Sequence, residues 1–91
     1  MSITAKRIIF IGRVQGIGFR FTALNTANRC NLTGLVRNLP DGSVEMIAQG
    51  IAEDIDDCVR DIHESFTGCI NQTKVEELPP NPEYKNFKIT F

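Results

Sequence analysis

No acidic residue occurs before Asp41. Lys6, Arg7, Arg13, Arg20, Arg29 and Arg37 are the only charges up to that point, and all 11 acids follow, against Arg60, Lys74, Lys85 and Lys88 alone. The split has two readings. Either the charges mix on the surface once the chain folds, or the first half carries a positive field around an anion site. A nucleic-acid surface fits poorly, because the net charge is −1 and the arginines are scattered. Tryptophan is absent, Tyr84 is the one tyrosine, and most of the 6 phenylalanines fall at core-like positions. Little is left for stacking on bases.

Long apolar runs are also missing. None approaches the roughly 20 residues of a membrane span, so no membrane association is expected. Met1 to Arg7 shows no apolar segment after a basic start, which argues against a signal peptide and for the cytoplasm. Cysteines number 3 and form no CxxC pair. Neither a metal-ligand set nor a disulfide framework is expected, only free thiols. Without a secretory signal, Asn31-Leu32-Thr33 and Asn71-Gln72-Thr73 read as chance matches to the glycosylation pattern. His63 is the single histidine and has no partner at catalytic spacing. An apolar content of 42% and a charged content of 23% over 91 residues are those of an ordinary globular protein, so one domain, residues 1–91, is expected.

What is present is a clear alternation of patterns. Ile3 to Gly12 reads as a strand, with Ile8 and Phe10 on one face and Arg7, Ile9 and Ile11 on the other. Apolar residues on both faces suggest a central strand. After a glycine loop, Phe21 to Asn31 reads as a helix with Ala23, Ala27 and Cys30 at helical spacing. Gly34 to Leu39 and Val44 to Gly50 read as strands joined at the turn signal Pro40-Asp41-Gly42-Ser43. Arg37 falls on the opposite face of its strand from Asn38 and reads as solvated. Ala52 to Ser65 has the cleanest periodicity. Ile51, Ile55, Cys58, Val59, Ile62 and Phe66 form one stripe, and Glu53, Asp54, Asp56 and Asp57 form a solvated acidic face near its start. Cys69 to Leu78 alternates loosely as a strand, and Phe87, Ile89 and Phe91 mark a short last one. The order β-α-β-β-α-β, plus a terminal strand, predicts an α+β ferredoxin-like fold: an antiparallel sheet with both helices on one face. Many unrelated functions use that fold.

The stretch Gly12-Arg13-Val14-Gln15-Gly16-Ile17-Gly18-Phe19-Arg20 sits between the first strand and the first helix. Strand, glycine turn and helix start together point several backbone N–H groups at one spot, and the helix dipole adds partial positive charge. This loop is expected to hold a phosphate or carboxylate, with Arg20 as its fixed cation.

The same nine residues closely resemble the signature G-R-V-Q-G-V-G-F-R of the acylphosphatases, with Ile17 in place of valine. Gly34-Leu35-Val36-Arg37-Asn38 followed by Asp41-Gly42-Ser43-Val44-Glu45 resembles the family's second signature. The resemblance spans nearly the whole chain. It implies metal-free, cofactor-free hydrolysis of a carboxyl–phosphate anhydride to a carboxylate and inorganic phosphate. It also implies Arg20 and Asn38 as catalytic residues and a cradle for the phosphoryl group at Gln15, Gly16, Ile17, Gly18, Phe19 and Arg20. An acyl phosphate already has a good leaving group, so a site without catalytic His, Asp or Glu is chemically sufficient. Two small departures occur: Leu35 stands where many relatives carry an aromatic residue, and Gly68-Cys69 where Gly-Pro is common.

The expected partner is a small acyl phosphate, with inorganic phosphate or other anions also binding the loop. A monomer is the simplest expectation. Acetyl, carbamoyl and bisphosphoglycerate substrates stay open. A non-enzymatic anion-binding module is the rival; retention of Asn38 argues against it, because holding phosphate needs only the loop and Arg20. An acylphosphatase-like segment of a larger carbamoyl-transfer enzyme is disfavoured by the length of the chain.

Overall fold

The computed structural model describes residues 2–91. Met1, the first residue of the expected domain, lies outside the described residues. The elements are β1 (Thr4–Gly12), α1 (Phe19–Arg29), β2 (Thr33–Asn38), β3 (Val44–Gly50), α2 (Ala52–Ser65), β4 (Ile70–Leu78) and β5 (Phe87–Ile89). The strands form one sheet in the order β4-β1-β3-β2-β5. The first four pair antiparallel, and β1 is central as its two apolar faces require. The fold is the expected α+β ferredoxin-like one. The terminal strand departs from the antiparallel scheme. β5 runs parallel to β2, with Val36 opposite Ile89, and makes the sheet mixed. A long connection from β4 across Pro79–Asn86 allows that parallel entry at the far edge.

Both helices pack on the sheet face that carries Ile8, Phe10, Val36, Met46 and Ala48. Ala23 and Ala27 are fully buried, so α1 lies close on the sheet, while Ile55, Cys58 and Ile62 are the buried stripe of α2. α2 has the bounds that its periodicity predicts. α1 starts and ends two residues earlier than expected. Gly18 adopts the left-handed conformation (φ 79, ψ 18) immediately before Phe19, so the chain needs no further residues to turn into the helix. At the other end Asn31 takes φ 61, and the Leu32 N–H donates back to Ala27 O at 3.0 Å, closing the helix as an Asn stop does.

β3 is buried along its whole length, including Glu45 and Gln49 on the face away from the helices. Gln49 is satisfied by the Asn81 backbone: its Nε2 donates to Asn81 O at 2.9 Å and its Oε1 accepts from the Asn81 N–H at 2.7 Å. Glu45 is held from both neighbouring strands, by Arg7 Nε at 2.5 Å and Arg37 Nε at 2.6 Å. Arg37 is therefore not a merely solvated residue; cross-strand pairing commits it to Glu45. The opposing charges of the two halves mix in the fold. Lys6 meets Asp56, Arg29 meets Asp61, and Arg7 and Arg37 share Glu45.

Burial pushes the Glu45 pKa up, but hydrogen bonds and charge from Arg7 and Arg37 outweigh it and hold the group below the usual carboxylate range. A folded pKa below the unfolded value means stabilisation that is present above pH ~4.3 and lost as pH falls through the folded pKa. Glu45→Gln should therefore destabilise at neutral pH, by about 1–2 kcal/mol, because the two arginines can still reach water. Thermal melts of wild type and variant should converge as the pH is lowered below 4.

The three cysteines are free, and burial drives the Cys58 thiol up to about 12, so it is unreactive. Among the described residues no helix is long and apolar enough to cross a membrane. His63 Nε2 lies 2.9 Å from Thr73 Oγ1 and its ring packs on Phe10, a structural setting. The phenylalanines are less buried than their positions suggest. Phe10, Phe19 and Phe87 are core, whereas Phe21 is 64% and Phe91 98% exposed.

Candidate active site

β1 ends at Gly12, and the Arg13 N–H donates to Cys69 O at 2.8 Å, the last tie of this strand to the sheet edge. The next backbone bond is the first of α1, from the Thr22 N–H to Gly18 O at 3.1 Å. Between them, among the described residues, no N–H from Val14 to Phe21 meets an acceptor. Gly16 and Gly18 both have positive φ, 78 and 79, and a Cβ at either would meet open space. The glycines are needed for their backbone conformation rather than for room. Such a run of unspent N–H groups at a helix start is geometry suited to an anion.

The loop opens on a cleft of about 240 Å³ lined by Val14, Gly16, Gly18, Phe19, Arg20, Phe21, Asn38, Ile89 and Phe91. Of the residues singled out in the sequence, Gly16, Gly18, Phe19, Arg20 and Asn38 meet here. Arg20 makes no ion pair among the described residues; its guanidinium carbon lies 5.3 Å from the Phe91 ring centroid. Asn38, the last residue of β2, places its Oδ1 in a buried position with no hydrogen-bond partner. A buried polar atom without a partner costs about 1–3 kcal/mol and is rarely kept without reason. Among the described residues no side-chain carboxylate, imidazole or thiol lines the cleft.

The side chains of Gln15 and Ile17 do not line the cleft. Ile17 is 45% exposed on the outside of the loop. The Gln15 side chain lies along the surface to the β2–β3 turn instead, where Nε2 donates to Leu39 O at 2.8 Å and Ser43 O at 2.9 Å. It clamps the glycine loop to the turn after β2, the turn that fixes Asn38. That turn is itself braced, since the Asp41 carboxylate accepts from both the Ser43 N–H and the Ser43 hydroxyl. Hydrogen bonds from Ser43 hold the Asp41 pKa below the usual carboxylate range. The Pro40-Asp41-Gly42-Ser43 signal announces this turn, but nothing in the sequence pairs it with Gln15. Gln15→Leu removes two hydrogen bonds and should lower stability by about 1–2 kcal/mol. It should also raise KM and lower kcat together as the two walls separate, as steady-state kinetics and thermal melts can show. Phe21, Ile89 and Phe91 are likewise part of the lining that local pattern does not reveal.

A model of the acylphosphatase family matches residues 6–89. An acylphosphatase of Alcanivorax borkumensis is 44% identical over 92 aligned positions, covering 97% of this chain and 100% of the relative. One from Nostoc sp. is 37% identical over 82 residues, 90% of this chain and 81% of the relative. The crystal structure of acylphosphatase from Bacillus subtilis superposes with a TM-score of 0.89 at 30% identity, covering 97% of this chain and 99% of that one. Full-length HypF in a phosphate- and nucleotide-bound form also contains the fold, with a TM-score of 0.85 at 33% identity, but only 12% of that chain is covered. The matches define an enzyme, a hydrolase of acyl phosphates. The chain belongs to the acylphosphatase family.

Proposed function

We propose that the loop from Gln15 to Arg20 binds the phosphoryl group and that Asn38 positions the water that attacks it. The Asn38 side chain, on the wall of the same cleft as Arg20, carries this assignment. A phosphoryl group in transfer spreads negative charge over its equatorial oxygens, so catalysis is mostly positioning and electrostatic stabilisation. The loop N–H groups and the planar fork of Arg20 supply donors at fixed places. The Asn38 amide, which can both donate and accept, hydrogen-bonds the water and holds its oxygen in line with phosphorus. The new P–O bond forms as the bond from phosphorus to the acyl oxygen breaks, and the carboxylate leaves with the electron pair. The water's proton passes to a phosphoryl oxygen, giving dihydrogen phosphate, so an amide need not act as a base. A cleft lined by no side-chain carboxylate, imidazole or thiol among the described residues suits a reaction without metal or cofactor.

Assaying phosphate release from benzoyl phosphate in excess chelator tests this. Wild-type turnover should persist, and should fall sharply in Arg20→Ala and Asn38→Ala. Full activity in both variants, or loss to chelator alone, would overturn the assignment. Tight phosphate binding without turnover would instead identify an anion-binding module. We take the enzyme to be a cytoplasmic monomer acting on a small acyl phosphate; three free thiols suit a reducing compartment.

A further inference from the structure

We propose that Cys30 and Cys58 form a dithiol modification site, which a small-molecule disulfide converts into one intramolecular disulfide joining α1 to α2. The proposal does not depend on the phosphoryl assignment above. Cys30 closes α1, its N–H donating to Thr26 O at 3.0 Å, and it packs half-buried against the core cluster. Cys58 belongs to that cluster, fully buried on the inner stripe of α2. The two thiols lie within hydrogen-bonding reach of each other. Neighbouring residues fasten the helices at the same point. Arg29 precedes Cys30, Asp61 stands one turn beyond Cys58, and their side chains pair at 3.4 Å. Cys69 is held elsewhere, its carbonyl accepting from the Arg13 N–H at the sheet edge.

Exposure sets the order of events. Cys30 is the thiol of the pair that solvent reaches. Burial and the Asp61 carboxylate push its pKa up, against the pull of Arg29, so its attack on a disulfide is slow at neutral pH. The Cys30 thiolate attacks one sulfur of oxidised glutathione. A Cys30–glutathione disulfide forms as one glutathione thiolate leaves. Cys58, held up to about 12 by burial, does not react with an oxidant from solution. Against a disulfide already at Cys30, contact makes up for the small thiolate fraction, because the effective molarity of an intramolecular step is high. Cys58 gives its proton to solvent base as its sulfur bonds to that of Cys30, and the second glutathione leaves as a thiolate. Two protein thiols are thus oxidised, and one glutathione disulfide is reduced to two thiols. The crosslink closes the chain from residue 30 to residue 58 and so restricts the unfolded state. It lies at the far end of α1 from Arg20, which leaves the cleft as it is.

The test incubates the folded enzyme with oxidised glutathione at about pH 8.5, where thiolate is less scarce. Mass spectrometry of the intact protein and of its peptides reads the product. Cys30 and Cys58 should be linked to each other with the loss of two hydrogens, and neither should carry glutathione. Cys58→Ala should stall with one glutathione on Cys30. Cys30→Ser should gain neither the crosslink nor an adduct at Cys58, and as a half-buried position it reports even where Cys58→Ala fails to fold. The crosslinked enzyme should melt roughly 10 °C above the reduced one, with turnover of benzoyl phosphate unchanged. A wild type that stays reduced at both residues, or that keeps glutathione on Cys30, overturns the proposal. So does a crosslink through Cys69, an adduct at Cys58 in Cys30→Ser, or a crosslink that forms only in urea. A crosslinked enzyme that melts no higher, or that loses turnover, overturns it as well.

Discussion

Arg20→Ala is expected to lower kcat/KM for an acyl phosphate by about 10³-fold or more, on the scale set by the loss of a fixed donor to a developing oxyanion or of an arginine on a transferring phosphoryl group. The side chain is the one cation of the cleft and forms no ion pair among the described residues, so its charge is not spent elsewhere. Inorganic phosphate, expected to compete with substrate in the wild type, should compete far less in the variant. Arg20→Lys restores charge without the planar fork, and should remain about 10²-fold below wild type. Because Arg20 is half-buried at a helix start and tied to nothing but the Phe91 ring, either substitution should leave the melting temperature nearly unchanged. Initial rates of phosphate release, with melts alongside, separate the lost chemistry from a lost fold.

Asn38→Ala has the second largest expected effect and a different signature. Here kcat should drop by about 10²- to 10³-fold while KM changes little, as when an interaction matters mainly in the transition state. Stability should not fall with activity, because the variant removes a buried acceptor that has no partner. Asn38→Asp keeps the shape but adds a negative charge beside the phosphoryl group, so it should raise KM as well as lower kcat. A side chain that merely supported β2 would show the reverse, a lower melting temperature with modest kinetic change.

Local patterns carry much of this. The i, i+4, i+7 stripe of α2 fixes its bounds, and the alternation around Pro40-Asp41-Gly42-Ser43 fixes the β2–β3 hairpin. The glycines of the loop announce a tight turn ahead of α1, and both do take a positive φ. What stays hidden is pairing between elements far apart in sequence. Glu45 looks like a polar residue on a half-exposed strand until the sheet places Arg7 on one side and Arg37 on the other. Gln15 sits inside a phosphate-loop signature and so reads as a ligand contact, yet its amide points to Leu39 and Ser43. Phe91 resembles a core residue by type and by its alternation with Phe87 and Ile89, and Phe21 by type alone. They reach the cleft because α1 begins two residues early and β5 joins β2 in parallel.

The central claim is that phosphorus, not the acyl carbon, is attacked, by a water held in the cleft of Arg20 and Asn38. Hydrolysis of benzoyl phosphate by the wild-type enzyme in ¹⁸O-labelled water, followed by mass spectrometry of both products, tests it most directly. One labelled oxygen in inorganic phosphate and none in benzoate is the predicted result. Label in the benzoate would place the attack at the carbonyl carbon and contradict the account.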